Sequence, residues 1–240
     1  MALPIMATPT YNLTVPSTGV NVKYRPFLVK EEKALLIAQQ SEDLNVMVDS
    51  LKGVIKSCVL DKIDVERLAI FDIEYIFTQI RAKSVGEMVE LLFPCDIDHG
   101  EDNDKAKVKI SIDISKLEVE KPEGHTNKIT LFNDVGVVMK YPSMKVLAKL
   151  EELDSENIDA IFEVIADCVD IIYQGDELHY AAEQSKEDIL QFLGNLTSEQ
   201  FKNLQTFFTT MPKIKKVVEY DCPICGKHHT AALEGMQSFF

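Results

Sequence analysis

The segment Cys222-Pro-Ile-Cys225-Gly-Lys-His228-His229 sets two thiols three positions apart beside turn-forming residues. A tight turn of this kind aims both sulfurs at one point, and Gly226 lets the backbone swing beneath them. Zinc stabilises thiolates and takes four protein ligands in a closed structural site. One such knuckle supplies two. The other two can come from Cys95 and His99, spaced C-x-x-x-H, or from His228 and His229. Adjacent residues on a strand point to opposite faces, so His228 and His229 reach a single ion with difficulty. The preferred set is therefore Cys222, Cys225, Cys95 and His99, with His228 or His229 as alternative ligands and one structural zinc ion as the cofactor. The competing reading is a pair of ordinary hairpin turns with reduced thiols. A thioredoxin-like redox pair belongs near a βαβ pattern, whereas here a strand precedes the knuckle and a strand follows it.

Other chemistry is weakly signalled. The sequence has no G-x-G-x-x-G, Walker loop, H-E-x-x-H or G-x-S-x-G pattern. His125 falls in a linker-like stretch and His179 in an apparent insertion, and both are expected to be solvated loop histidines. The run Asp96 to Asp104 carries five acids without EF-hand spacing and reads as an exposed hairpin tip. Cys58 and Cys168 sit inside helix-like apolar patterns and are expected in the core. Five cysteines at irregular spacing do not form a secreted disulfide framework.

Composition bounds the rest. At 46% hydrophobic and 27% charged residues, the chain is ordinary for a folded globular protein. Its formal net charge of −14 argues against holding nucleic-acid phosphates, since that affinity comes from Lys and Arg releasing counterions. No apolar run reaches the length of a membrane span. Met1 to Thr10 lacks the basic start and apolar core of a signal peptide, so residence in a cytosol is expected.

The elements that must position the cysteines form a pattern that repeats. Leu13–Pro26 and Ile129–Pro142 both read as β-hairpins, and each ends in a Tyr near a Pro: Tyr24 with Pro26, Tyr141 with Pro142. Leu44–Val59 places Leu44, Val48, Leu51, Ile55 and Cys58 on one helical face. Ile158–Ile172 repeats this with Ile158, Ile161, Ile165, Cys168 and Ile172. A further helix follows in each half, Asp72–Arg81 and Ser198–Met211, the latter opened by a Thr197/Gln200 capping box. A strand then runs into a cysteine: Met88–Phe93 before Cys95, Lys216–Tyr220 before Cys222. A return strand shows alternation at Val108, Ile110, Ile112 and Ile114. The expectation is an α+β fold of two similar halves made by internal duplication, each with β-hairpins flanking a small group of helices. The join lies near Lys121-Pro-Glu-Gly124, giving domains 1–120 and 121–240, and Tyr173–Ser185 is an insertion in the second.

These residues carry a resemblance. Leu3 to Leu36, beginning L-P-I-M-A-T-P-T-Y-N-L-T-V-P, resembles the start of the baseplate hub subunits and hub-assembly proteins of T-even-type contractile-tailed phages. Phe71-Asp-Ile-Glu-Tyr-Ile-Phe77, Arg81-Ala-Lys-Ser-Val-Gly86, Glu123-Gly-His-Thr-Asn127, Met139-Lys-Tyr-Pro142 and Leu233-Glu-Gly-Met-Gln-Ser-Phe-Phe240 are similar too, in the same order. The resemblance implies a non-enzymatic component or assembly factor of the baseplate central hub. Its implied partners are other hub and tail proteins, with no small-molecule substrate. Its implied place is the host cytoplasm during assembly or the virion tail baseplate. A zinc-ribbon-bearing cytosolic adaptor is the alternative. The apolar C-terminus (Leu233, Met236, Phe239, Phe240) is expected to close part of a core and leave Phe239 or Phe240 for a partner.

Overall fold

A computed structural model describes residues 7–41, 43–144, 146 and 158–239. The protein is α+β, with helices and antiparallel sheets alternating along the chain. It divides into two compact units. The first takes Met1–Val65, Phe71–Glu120 and Lys213–Phe240; the second takes Glu66–Ile70 and Lys121–Pro212.

In the first unit, β1 (Tyr11–Thr14) and β2 (Asn21–Tyr24) form a hairpin, followed by α1 (Val29–Ser41), α2 (Leu44–Cys58) and α3 (Ile70–Ser84). Asp43 caps α2 by accepting from the amides of Asn45 and Val46. The helix stops at Cys58 because Val59 turns into a bridge with Tyr24. The hairpin turn is fastened to the start of α3: the fully buried Asp72 carboxylate accepts from the Ser17 amide at 2.9 Å and its hydroxyl at 2.5 Å. Next come β3 (Met88–Phe93) and β4 (Val108–Asp113), an antiparallel pair joined by a long loop, and the short β5 (Val119–Glu120).

The second unit is built on a four-stranded sheet: β6 (Lys128–Phe132), β7 (Val135–Met139), β8 (Val169–Gln174) and β9 (Glu177–Tyr180), in that spatial order. Asn133 and Asp134 make the two-residue β6–β7 turn, and Asn133 takes the left-handed conformation (φ 49°) that such turns demand. Three helices, α4 (Ile158–Asp167), α5 (Lys186–Gly194) and α6 (Ser198–Thr209), bury Ile165, Ile189, Leu193, Leu204 and Phe207 with Val137, Met139 and Val169 of the sheet. The capping box at Thr197 and Gln200 is present, with both reciprocal bonds made.

The chain then returns to the first unit through β10 (Lys213–Asp221) and β11 (His228–Glu234). This departs from the expected division into 1–120 and 121–240. Its physical reason is pairing and burial. Ile214 of β10 pairs with Val119 of β5, and Ile214, Val218 and Phe239 share a core with Phe93, Ile112 and Leu117.

Three local expectations also need correction. The helix expected over Ile158–Ile172 ends at Asp167, and Val169 begins β8. Val169, Ile171 and Ile172 are β-branched and find a partner in β7, so sheet pairing overrides the helical spacing. Tyr173–Ser185, read as an insertion, holds the β8–β9 hairpin that completes the sheet. His125, expected in solvent, is only 8% exposed. Its ring stacks on Tyr141 and Phe207, with Nδ1 3.0 Å from the Thr210 hydroxyl and Nε2 3.0 Å from the Tyr141 hydroxyl.

The two halves share one local device. The Arg25 amide donates to the Cys58 carbonyl at 3.0 Å, and the Lys140 amide donates to the Cys168 carbonyl at 2.8 Å. In each case the residue after a hairpin strand is tied to a cysteine where a helix gives way to extended chain.

Candidate metal centre

Two hairpin ends in the first unit supply the site. The strand β3 delivers Cys95 just beyond Phe93 and Pro94. The loop after it folds on itself: Asp98 Oδ1 accepts from the Gly100 amide at 2.9 Å and from Asn103 Nδ2 at 2.7 Å, and the His99 amide donates to Asn103 Oδ1 at 2.8 Å. These bonds set where His99 stands. At the other end, β10 runs into Cys222. The Gly226 amide donates to the Cys222 carbonyl at 2.9 Å, and the Cys222 amide donates to the Lys227 carbonyl at the same distance. Gly226 adopts φ +70°, a region costly for residues with a Cβ, so the turn that aims the two thiols needs glycine there.

The two ends are held together independently of the cysteines. The Tyr220 hydroxyl donates to the Pro94 carbonyl at 2.8 Å, and the Phe93 and Tyr220 rings lie 5.3 Å apart. Lys227 Nζ binds both carboxylate oxygens of Asp96, at 2.9 and 2.7 Å. That contact holds the Asp96 carboxyl below the usual carboxylate range, chiefly through the Lys227 hydrogen bond.

Inside this frame the ligand atoms of Cys95, His99, Cys222 and Cys225 all lie within 4.8 Å of one another. Cys95 Sγ is 3.9 Å from Cys225 Sγ, and Cys222 Sγ is 3.5 Å from His99 Nε2. Cys222 is 2% exposed and Cys225 is open to solvent. Amides of Cys225 and Ile224 point at the Cys222 sulfur and bring its pKa down to about 6, which favours the thiolate. Burial and the neighbouring thiols push Cys95 the other way. Three sulfurs and an imidazole form a donor set suited to a soft or borderline cation.

The alternative ligands fall outside this group of four. His228 is 60% exposed, and its Nδ1 sits 2.8 Å from Asp221 Oδ1. His229 points to the opposite face of β11, with Nε2 3.3 Å from Cys95 Sγ and Nδ1 3.7 Å from Asp96 Oδ1. It stacks on Tyr220 at 5.1 Å. Cys95, Asp96 and His229 also come close enough to share an ion, but that group has three members and its carboxylate is already engaged by Lys227. Sequence reasoning missed Asp96, Lys227 and Tyr220. The available signal was an acid next to Cys95 and a base next to Gly226.

Cys58 and Cys168 are fully buried, with burial raising their thiols to about 11 and about 12, so both remain inert core groups. Phe239, one of the two rings of which either was expected to be left for a partner, is fully buried among Ala82, Phe93, Ile112 and Ile214. A short helical turn at Met236–Phe239 folds its ring back onto the core of β10 and β11, so of the two rings Phe239 is not the one left for a partner. Phe240 lies outside the described residues. Among the described residues, no helix is long and apolar enough to cross a membrane.

A search of curated proteins found no match, and neither did a search of solved structures. The family model described as T4 bacteriophage base plate protein matches residues 8–240, almost the whole chain, and the protein belongs to that family.

Proposed function

We propose that this protein is a non-enzymatic component or assembly factor of the central hub of the phage tail baseplate, acting through protein–protein interfaces. Family membership over residues 8–240 carries this reading. It makes the protein a T4-type baseplate protein, with other phage tail proteins as partners and the virion tail as its place. The hub role is the narrower step. It rests on the resemblance of the opening segment to hub subunits and hub-assembly proteins, and it implies a stage in the host cytoplasm while the hub is built.

The surface supports a protein-binding role. Along β3, Met88 and Leu92 face outward at 57% and 63% exposure, while Val89 and Leu91 face the core side. On α1, Val29, Leu36 and Ile37 are all more than half exposed. Apolar area of this kind is costly in water and commonly marks interfaces. A net charge of −14 repels other acidic chains and selects partners with basic patches.

The test is co-purification with tail proteins, followed by mass spectrometry of virions and of assembly intermediates. A permanent hub part is found in both, and an assembly factor only in the intermediates. A Met88→Lys/Leu92→Lys double variant that folds should lose tail-protein partners if β3 is an interface. Absence of the protein from every baseplate intermediate would reject the hub reading.

A further inference from the structure

We propose that Cys95, His99, Cys222 and Cys225 hold one zinc ion in a closed four-ligand site, with His229 as an outer hydrogen-bond donor that tunes it. The argument is geometric. Zinc binds thiolate sulfur at about 2.3 Å and imidazole nitrogen at about 2.0–2.1 Å, almost always tetrahedrally in structural sites. A tetrahedron with those arms has sulfur–sulfur edges of about 3.8 Å and sulfur–nitrogen edges of about 3.5 Å. The Cys95–Cys225 edge is 3.9 Å and the Cys222–His99 edge is 3.5 Å. Two thiols at 3.9 Å are too far apart for a disulfide, whose sulfurs bond at about 2.05 Å. The spacing is that of sulfurs around a common centre.

The surroundings match what a thiolate–zinc centre needs. Three thiolates and a neutral imidazole around a divalent cation leave excess negative charge. Hydrogen bonds to sulfur spread that charge: the Ile97 amide points at Cys95 Sγ at 3.4 Å, and amides of Ile224 and Cys225 point at Cys222 Sγ. His229 Nε2, 3.3 Å from Cys95 Sγ, adds a side-chain donor, and the ring is oriented by its stack on Tyr220. Outer partners of this type fix ligand direction and tune affinity. The ion so held joins the long β3–β4 loop to the β10–β11 turn, two segments far apart in sequence. With four protein ligands it has no open position for water, so its role is structural.

The test uses the full chain, purified under reducing conditions without added metal. Elemental analysis should find about one zinc per chain, as a single closed site requires. Exchange with cobalt should give the intense visible bands of a tetrahedral ion and a thiolate-to-metal charge-transfer band. Cys225→Ser, at an exposed position, should lose the stoichiometric metal. His99→Cys should keep one metal per chain and shift the cobalt spectrum toward a four-sulfur centre. His229→Gln should retain the ion but release it to a chelator about 10–100-fold more readily, and His228→Gln should behave as the parent does. Folded parent protein without zinc overturns the proposal. So does a cobalt spectrum without thiolate bands, or full metal content in both Cys225→Ser and His99→Ala. If Cys225→Ser fails to fold, the parent's cobalt spectrum and the His99→Cys shift still decide.

Discussion

The sulfurs of Cys95 and Cys225 lie 3.9 Å apart, although 130 positions separate them in the chain. Holding such distant segments together removes freedom from the ends of two loops, and an attractive centre must offset that cost. Part of it is met by the Tyr220–Pro94 hydrogen bond and the Lys227–Asp96 pair. The metal is expected to supply the rest. With free zinc at about 1,000 times its dissociation constant, linkage stabilises the native state by about 4 kcal/mol. A chelator should therefore lower the unfolding midpoint of the parent and leave Cys225→Ser unchanged. Equal midpoints for the parent with and without chelator would show that the hairpin ends stand without an ion.

Phe239 gives the second expectation. Its ring is fully buried in the core shared by β3, β4 and β10. Truncating a buried Phe to Ala typically costs 3–5 kcal/mol, from lost apolar transfer and the cavity left behind. Phe239→Ala should destabilise the chain by about that amount in urea. Deleting Ser238 to Phe240 should do at least as much. A deletion variant with parental stability would mean that this ring contributes little, against its complete burial.

Asp72 and Ser17 allow a third test. The carboxylate is fully buried and takes both donors of Ser17, tying the β1–β2 turn to the first turn of α3. Hydrogen bonds to a charged group contribute about 1.5–3 kcal/mol, and a buried charge left short of donors costs more than the bond alone. Ser17→Ala should destabilise by about 1–3 kcal/mol. Asp72→Asn should cost a comparable amount, since an amide replaces a charged acceptor. Hydrogen exchange should open first at the hairpin in both variants. Unchanged protection there would refute the fastening role.

Much of this was legible in the sequence, for identifiable reasons. Spacing of 3.6 at Val48, Leu51, Ile55 and Cys58 gave α2, and period two at Ile110 and Ile112 gave β4. The knuckle announced Cys222 and Cys225 because its chemistry is local. His99 and Cys95 join it only because two hairpin ends distant in sequence meet, which no local pattern encodes. The return of Lys213–Phe240 to the first unit was hidden, because it depends on Ile214 pairing with Val119 across 95 residues of chain. Spacing alone does not reveal the end of α4, because Val169 and Ile172 suit a helix face and a strand equally. The burial of His125 is hidden from the sequence, because nothing local says that Thr210 and Tyr141 bracket its ring. The expected duplication stands as a proposal supported by the matched Arg25–Cys58 and Lys140–Cys168 bonds. Those bonds align Tyr24 with Met139, not with Tyr141.

Gly136 tests the second unit. It sits in β7 opposite Tyr173 of β8, and a Cβ there would overlap the Tyr173 hydroxyl and the Ile129 carbonyl. The ring could swing aside, but the carbonyl belongs to β6, whose Ile129 pairs with Val137 of β7. Overpacking of a fitted interior costs typically 1–3 kcal/mol. Gly136→Ala should reach the upper end of that range, because relief requires breaking the strand ladder. Denaturant unfolding measures it. A neutral substitution would mean that β6 and β7 can separate freely at this point, contrary to their register.

His125 carries a pH dependence whose sign follows from its partners. Thr210 donates its hydroxyl proton to the Thr206 carbonyl at 2.7 Å, so its oxygen is left to accept from His125 Nδ1–H. With burial keeping the ring neutral near pH 7, Nε2 accepts from the Tyr141 hydroxyl and the proton sits on Nδ1. Burial, with a smaller contribution from the Lys121 charge, holds this histidine below its ordinary value of 6.5. The unfolded chain therefore binds a proton that the native state refuses. Stability is full above the unfolded value and falls as pH drops through it, levelling off only below the depressed native value. Unfolding free energy measured between pH 8 and about pH 5 should decline below about 6.5. The portion of that decline due to this ring should vanish in His125→Gln. Tyr141→Phe should weaken the effect, since it removes the donor that favours the neutral form, while costing about 1 kcal/mol or more at pH 8 for the lost bond. A His125→Gln variant with the parent's full pH slope would place the titrating group elsewhere.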